Sequence, residues 1–169
     1  MEQGRLAACN AFGEVAHKTP EYFPYGIYAV PEISTVGMSE QEVRERGIPY
    51  EWIARLRETS RGQIMGLQHG ILKAIFSLKT HRLLGVHIVG EGATELIHIG
   101  QAVLTLKGGL EYFIENAFNY LTLAEAYKIA ALGCLEPHVT LKSNRPDVQR
   151  RKTPDPTTAL GYDRRWPWQ

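Results

Sequence analysis

ILKAIFSLKTHRLLGVHIVG, residues Ile71 to Gly90, decides the fold. Two apolar runs rich in Ile, Leu, Val and Phe are separated by the polar tetrad Lys79-Thr80-His81-Arg82, the pattern of an antiparallel hairpin. Upstream, GIYAVPEISTVG (Gly26 to Gly37) reads as strand, proline interruption, strand, and YEWIARLR (Tyr50 to Arg57) alternates well enough for another. Between them, Ser39 and Glu42 stand at the spacing of a capping box for a short solvated helix that Gly47 closes. Downstream of the hairpin the period lengthens: Ala93, Leu96, Ile97, Gly100, Val103 and Leu104 recur at three and four, which predicts a helix over 91–106. A break at Gly108-Gly109 leads into a second short helix, EYFIENA. Strands followed by helices predict an α+β domain, an antiparallel sheet with helices packed on one face.

The last helix poses a packing question. In FNYLTLAEAYKIAALGCL (Phe118 to Leu135), Thr122 and Glu125 have capping-box spacing and Gly133 is placed to stop the helix. Only Glu125 and Lys128 are charged in between, so no broad solvated face exists and the helix is expected to be covered on more than one side. Either it lies at the centre of a monomeric core, or two subunits share it.

Composition narrows the function classes. With 44% apolar and 22% charged residues in 169, the chain can bury one real core. A net charge of +1 gives no electrostatic reason to expect nucleic acid or a membrane surface as partner. Cys9 and Cys134 are far apart and form no CxxC pair, so neither a disulfide framework nor a dithiol centre is expected. No apolar run reaches the roughly 18 residues of a membrane helix, and MEQGRLAACN carries an acid where a signal peptide is basic; the expected compartment is the cytoplasm. The organisation expected is a helix within 1–14, a proline-bearing linker over 15–25, the sheet and helices over 26–135, and a flexible tail over 136–169 that is rich in proline and carries Arg150-Arg151 and Arg164-Arg165.

Three motifs invite chemistry. Gly90-Glu91-Gly92 after a strand and before a helix imitates a dinucleotide fingerprint, but the third glycine is Glu95 and the strand belongs to a hairpin; a tight turn is the plainer reading. Glu95 and His98 have the Glu-x-x-His ligand spacing, with His87 nearby, yet the further acids such a site needs are missing from that helix, so no metal is expected. Basic pairs with Trp166 and Trp168 could meet a nucleic acid, but Asp147, Asp155 and Asp163 dilute the field.

Taken together, GIYAVPEISTVGMSEQE, LLGVHIVGEGATELIHIGQAV and EYFIENAFNYLTLAEAYKIAAL resemble the C-terminal dimerisation domain of the pyridine nucleotide-disulfide oxidoreductase family, within it the transhydrogenase branch, from about Glu2 to Leu135. The resemblance implies that EQGRLAA is the last helix of a flavin-binding domain, so that the chain begins inside that domain. It implies a two-fold homodimer, FAD and NAD(P) as cofactors of the full-length enzyme, and no cofactor held by this chain alone. In the disulfide reductases of the family the matching loop is His-Pro-Thr-x-x-Glu, whose histidine is acid and base for a thiol pair. Tyr120 and Leu121 stand where histidine and proline would, while Thr122 and Glu125 match. A phenol, with an ordinary pKa of about 10, is a poor base for making a thiolate. Hydride transfer between nicotinamide and flavin asks the protein chiefly for position and electrostatics. By resemblance Asn119, Tyr120, Thr122 and Glu125 belong to the cofactor site, Asn119 and Tyr120 beside the flavin of the opposite subunit and Thr122 and Glu125 fixing the helix start, with no residue of this chain expected to act as a catalyst on its own.

Three functions therefore compete: the dimerisation portion of a flavin-dependent NAD(P) transhydrogenase, catalytically incompetent alone; a stand-alone homodimeric interaction module, with or without a separate flavin-binding chain as partner; and, less well matched by Tyr120, a fragment of a thiol-disulfide reductase.

Overall fold

The computed structural model describes residues 2–15 and 20–135; the expected tail over 136–169 lies outside the described residues, as does part of the expected linker. Helix α1 spans Glu2–Ala11, and Gly13 follows it in the left-handed conformation that stops a helix (φ 69°). Five strands follow, β1 (Tyr25–Ile27), β2 (Ile33–Gly37), β3 (Tyr50–Arg55), β4 (Ile71–Ser77) and β5 (Leu83–Val89). They form one sheet in the order β1-β2-β5-β4-β3, antiparallel throughout. The hairpin read from Ile71 to Gly90 is therefore its centre, and β1, exposed at every residue, is an edge.

Sheet alternation sorts the side chains. Leu72, Ala74 and Phe76 of β4, Val86 and Ile88 of β5 and Val36 of β2 form one face, buried in the main core cluster. Helices α4 (Ala93–Thr105) and α6 (Glu125–Leu135) pack over it, joined by α5 (Leu110–Glu115). The α+β architecture, with its long helices on one face, matches the sequence reading. Close approach of α4 to the sheet depends on Gly100, where a Cβ would lie 2.7 Å from Val86 Cγ2. Tyr127 locks α6 to α4: its buried hydroxyl donates to the Leu96 carbonyl (2.8 Å) and accepts from the Gly100 amide (3.2 Å). Its ring stacks on Phe113 of α5 at 5.1 Å and 6°. Burial of the phenol raises its pKa, so this linchpin stays protonated.

The opposite face carries Lys73, Ile75 and His87. Helix α2 (Glu40–Glu45) reaches it, started by the expected capping box: Glu42 N donates to Ser39 Oγ and Ser39 N to Glu42 Oε2. The structure departs from the sequence reading twice near β3. The strand ends at Arg55, two residues before the end of YEWIARLR, because Leu56–Glu58 turns into a 3₁₀ segment. A short helix unforeseen in the sequence, α3 (Ser60–Ile64), follows; Thr59 Oγ1 donates to the Leu56 carbonyl and accepts from Gly62 N, fixing the corner.

Candidate functional site

The expected site residues lie on the loop between α5 and α6. Asn119 and Thr122 line an open depression of about 330 Å³ together with Ile99, Tyr112, Asn116 and Phe118. Tyr120 does not line it; it projects into solvent, 72% exposed, with half-exposed Leu121 beside it. Leu121 has φ 64°, in the left-handed region that leucine seldom adopts and that proline, held near −65°, cannot enter. The loop here therefore has a backbone path closed to the family's His-Pro sequence.

The expected capping box at Thr122 and Glu125 does not form. The Thr122 hydroxyl donates to the Asn119 carbonyl (2.8 Å), tying the loop to itself, and the Thr122 carbonyl accepts from Glu125 N at 3.4 Å. Glu125 becomes the first residue of α6, and its Oε2 is buried without a hydrogen-bond partner. The reason is the tight path through Leu121, which turns the hydroxyl back toward Asn119 before the helix begins. Gly133 also fails to stop the helix, which continues to Leu135. Lys128 Nζ donates to the Asn116 carbonyl (3.0 Å), so the charge on α6 braces the loop.

The packing question has a one-sided answer within the chain. Ala126, Tyr127, Ala130 and Ala131 of α6 are fully buried, while Leu132 is 44% exposed and Ile129 only partly covered. With Tyr112, Tyr120 and Leu121, these residues leave an apolar surface over the α5–α6 segment.

The imitation dinucleotide turn is a structural joint. Gly90 (φ 139°) and Gly92 (φ 67°) make the turn into α4, and the first amides of that helix are already engaged. Glu32 Oε2, from the β1–β2 connection, accepts from Thr94 N (3.1 Å) and Thr94 Oγ1 (2.7 Å). Those two bonds, hydroxyl first, hold the Glu32 carboxyl below its ordinary range. A phosphate would have to displace a carboxylate there. His98 Nδ1 pairs with Gln101 Oε1 (2.9 Å) and His87 with Thr35 and Met38, so the three residues of the Glu95 spacing do not converge; among the described residues no group of three metal-ligating side chains occurs. Neither Cys9 nor Cys134 is in a disulfide, and no described helix is long and apolar enough to cross a membrane.

A sheet of this topology, covered on one face by α4 and α6, is a fold shared with known proteins. The family profile described as "pyridine nucleotide-disulphide oxidoreductase, dimerisation domain" matches residues 23–131. The chain belongs to this family. Over 136 residues it is 53% identical to soluble pyridine nucleotide transhydrogenase from Mycobacterium tuberculosis, covering 80% of this chain and 29% of that protein. It is 46% identical over 139 residues to the Escherichia coli protein of the same name, covering 79% of this chain and 30% of that one. The chain thus spans about three tenths of the length of the curated relatives it matches. Among solved structures, the HOCl-induced flavoprotein disulfide reductase RclA from Escherichia coli superposes with a TM-score of 0.68 at 25% identity, over 76% of this chain and 30% of that one. LpdA from Mycobacterium tuberculosis shares the fold with a TM-score of 0.68 at 22% identity, over 78% of this chain and 29% of that one.

The loop lines an open depression without enclosing it. It offers an amide at Asn119 and an exposed phenol at Tyr120, while the glycine turn that could have gripped a phosphate is filled by Glu32.

Proposed function

We propose that this chain is the dimerisation portion of a cytoplasmic, flavin-dependent NAD(P) transhydrogenase, and that it pairs as a two-fold homodimer. The observation that carries the reading is the 53% identity to soluble pyridine nucleotide transhydrogenases, in a segment whose reductase histidine position is occupied by Tyr120. FAD supplies the redox chemistry when the domains that bind it are present, with hydride passing between NADPH and NAD. The contribution of this chain is geometric. Its α5–α6 surface brings two copies together, and the Asn119–Thr122 loop, braced by Lys128 and the Thr122 hydroxyl, presents an amide and a phenol to the flavin of the opposite subunit. Residues 1–14 then belong to the flavin-binding domain and 26–135 to the dimerisation domain. Alone, the chain binds neither FAD nor NAD(P) and transfers no hydride.

The test is a chimera in which residues 2–135 replace the matching segment of the Mycobacterium tuberculosis transhydrogenase. A flavin-loaded dimer that retains NADPH-to-NAD hydride transfer, and loses rate on Tyr120→Ala, is expected. A folded, flavin-loaded chimera with no hydride transfer refutes the reading.

A further inference from the structure

The start of α6 carries three features that one local rearrangement would resolve together. Leu121 holds φ 64°, a conformation in which the side chain of an L-residue crowds its own backbone. Glu125 Oε2 is buried and has no hydrogen-bond partner among the described residues, so its lost hydration is not offset. Glu125 N meets the Thr122 carbonyl only at 3.4 Å, longer than an ordinary N–H···O bond.

The same chain shows how this spacing satisfies itself elsewhere. At the start of α2 a complete capping box forms: Glu42 N donates to Ser39 Oγ (3.2 Å) and Ser39 N to Glu42 Oε2 (2.7 Å), from a cap residue in extended backbone (φ −72°, ψ 160°). Thr122 and Glu125 have the same chemistry at the same spacing, but the turn through Leu121 sets the threonine hydroxyl 2.8 Å from the Asn119 carbonyl. A hydroxyl can donate and accept at once, so position, not hydrogen-bonding capacity, keeps it from the Glu125 amide. Both flanks of the turn are anchored. Phe118 stacks on Phe113 (6.3 Å, 16°), Lys128 Nζ holds the Asn116 carbonyl, and Ala126 and Tyr127 are fully buried. Any rearrangement is therefore confined to residues 119–125.

We infer that this segment is a two-state switch: the open arrangement of the structure exchanges with a capped one, in which Leu121 returns to negative φ, Glu125 N donates to Thr122 Oγ1 and Thr122 N donates to the Glu125 carboxylate. Capping relieves the left-handed leucine and gives the buried carboxylate a donor. Against these gains stands the loss of the bond from the Thr122 hydroxyl to the Asn119 carbonyl, which favours the open arrangement. Each exchange re-aims Tyr120, whose ring is 72% exposed in the open arrangement. The switch does not depend on the proposed function; where that function holds, it governs how the phenol is presented.

The test is amide relaxation-dispersion NMR on the full chain, which reports exchange on the microsecond-to-millisecond scale. One shared exchange process at Leu121, Thr122 and Glu125 is expected, with Phe113 and Tyr127 flat. Glu125→Ala removes the carboxylate arm of the box and should abolish the process, while Glu125→Gln, which can still accept from the Thr122 amide, should retain it. Leu121→Gly relieves the left-handed conformation and should raise the population of the open form, recognised by the Cα shift of residue 121. Flat profiles at the three wild-type amides, exchange that persists in Glu125→Ala, exchange lost in Glu125→Gln, or populations unmoved by Leu121→Gly would each overturn the switch.

Discussion

Gly100→Ala sets two well-known effects against each other. In a free helix the change stabilises by about 1 kcal/mol, because alanine is the better helix former. At Gly100 of α4, however, the new methyl would lie 2.7 Å from Val86 Cγ2, 3.0 Å from Tyr127 Oη and 3.1 Å from Val86 Cβ. Val86 is fully buried in the central strand β5, and a β-branched side chain has little freedom to rotate away. Overpacking of this kind costs about 1–3 kcal/mol. Displacing the phenol that bridges Leu96 and Gly100 adds about 1 kcal/mol. The clash and the lost bridge outweigh propensity, so a net loss of about 1–3 kcal/mol is expected. Urea denaturation of the full chain, followed by circular dichroism at one fixed protein concentration, measures it. Val86→Ala should relieve the clash, so that Gly100→Ala costs at least about 0.5 kcal/mol less in that background. If Gly100→Ala stabilises the protein, or if the two changes are simply additive, α4 does not sit on β5 through Gly100.

Three further outcomes follow from the described geometry. Ser39→Ala removes the hydroxyl that caps α2 and should cost about 1 kcal/mol in the same urea assay. Glu32→Gln removes the carboxylate that accepts from Thr94. Since that carboxyl is held below its ordinary range, the wild type should lose stability as pH falls through the lowered value, and an acid titration of the variant should lack that component. Leu121→Pro forces φ from 64° toward −65° and should disorder the Asn119–Thr122 turn, seen as lost amide protection there, whereas Leu121→Gly should leave the turn intact.

Most of the scaffold was readable because its signals are local. The hairpin of β4 and β5, the capping box of α2 and the three-and-four period of α4 are each written within twenty residues, and each formed. What escaped depends on distant partners. The N-terminus of α4 has Gly92 at its cap position and no side chain of its own to serve it; the carboxylate comes from Glu32, 62 residues before Thr94, which no spacing rule announces. Helix α3 has too few turns to show a period and exists because Thr59 bonds backward to Leu56 and forward to Gly62. In the candidate site, the residues Asn119, Tyr120, Thr122 and Glu125 were identified by resemblance, and the structure separates them: Asn119 and Thr122 face the depression, Tyr120 faces solvent, and Glu125 heads the helix. The capping-box spacing misled because a left-handed Leu121 competes with it, and no sequence pattern foretells that conformation at leucine. The same sequence did show that α6 lacks a solvated face, and Leu132 is the exposed remainder of that pattern.

The central claim is that this exposed remainder belongs against a second copy. Sedimentation velocity on the full chain, over a dilution series from high to low micromolar, measures it most directly. A species of twice 19.0 kDa is expected, converting to monomer in Leu132→Glu while the circular dichroism spectrum is retained. A wild-type chain that sediments as a stable monomer across the series would contradict the account.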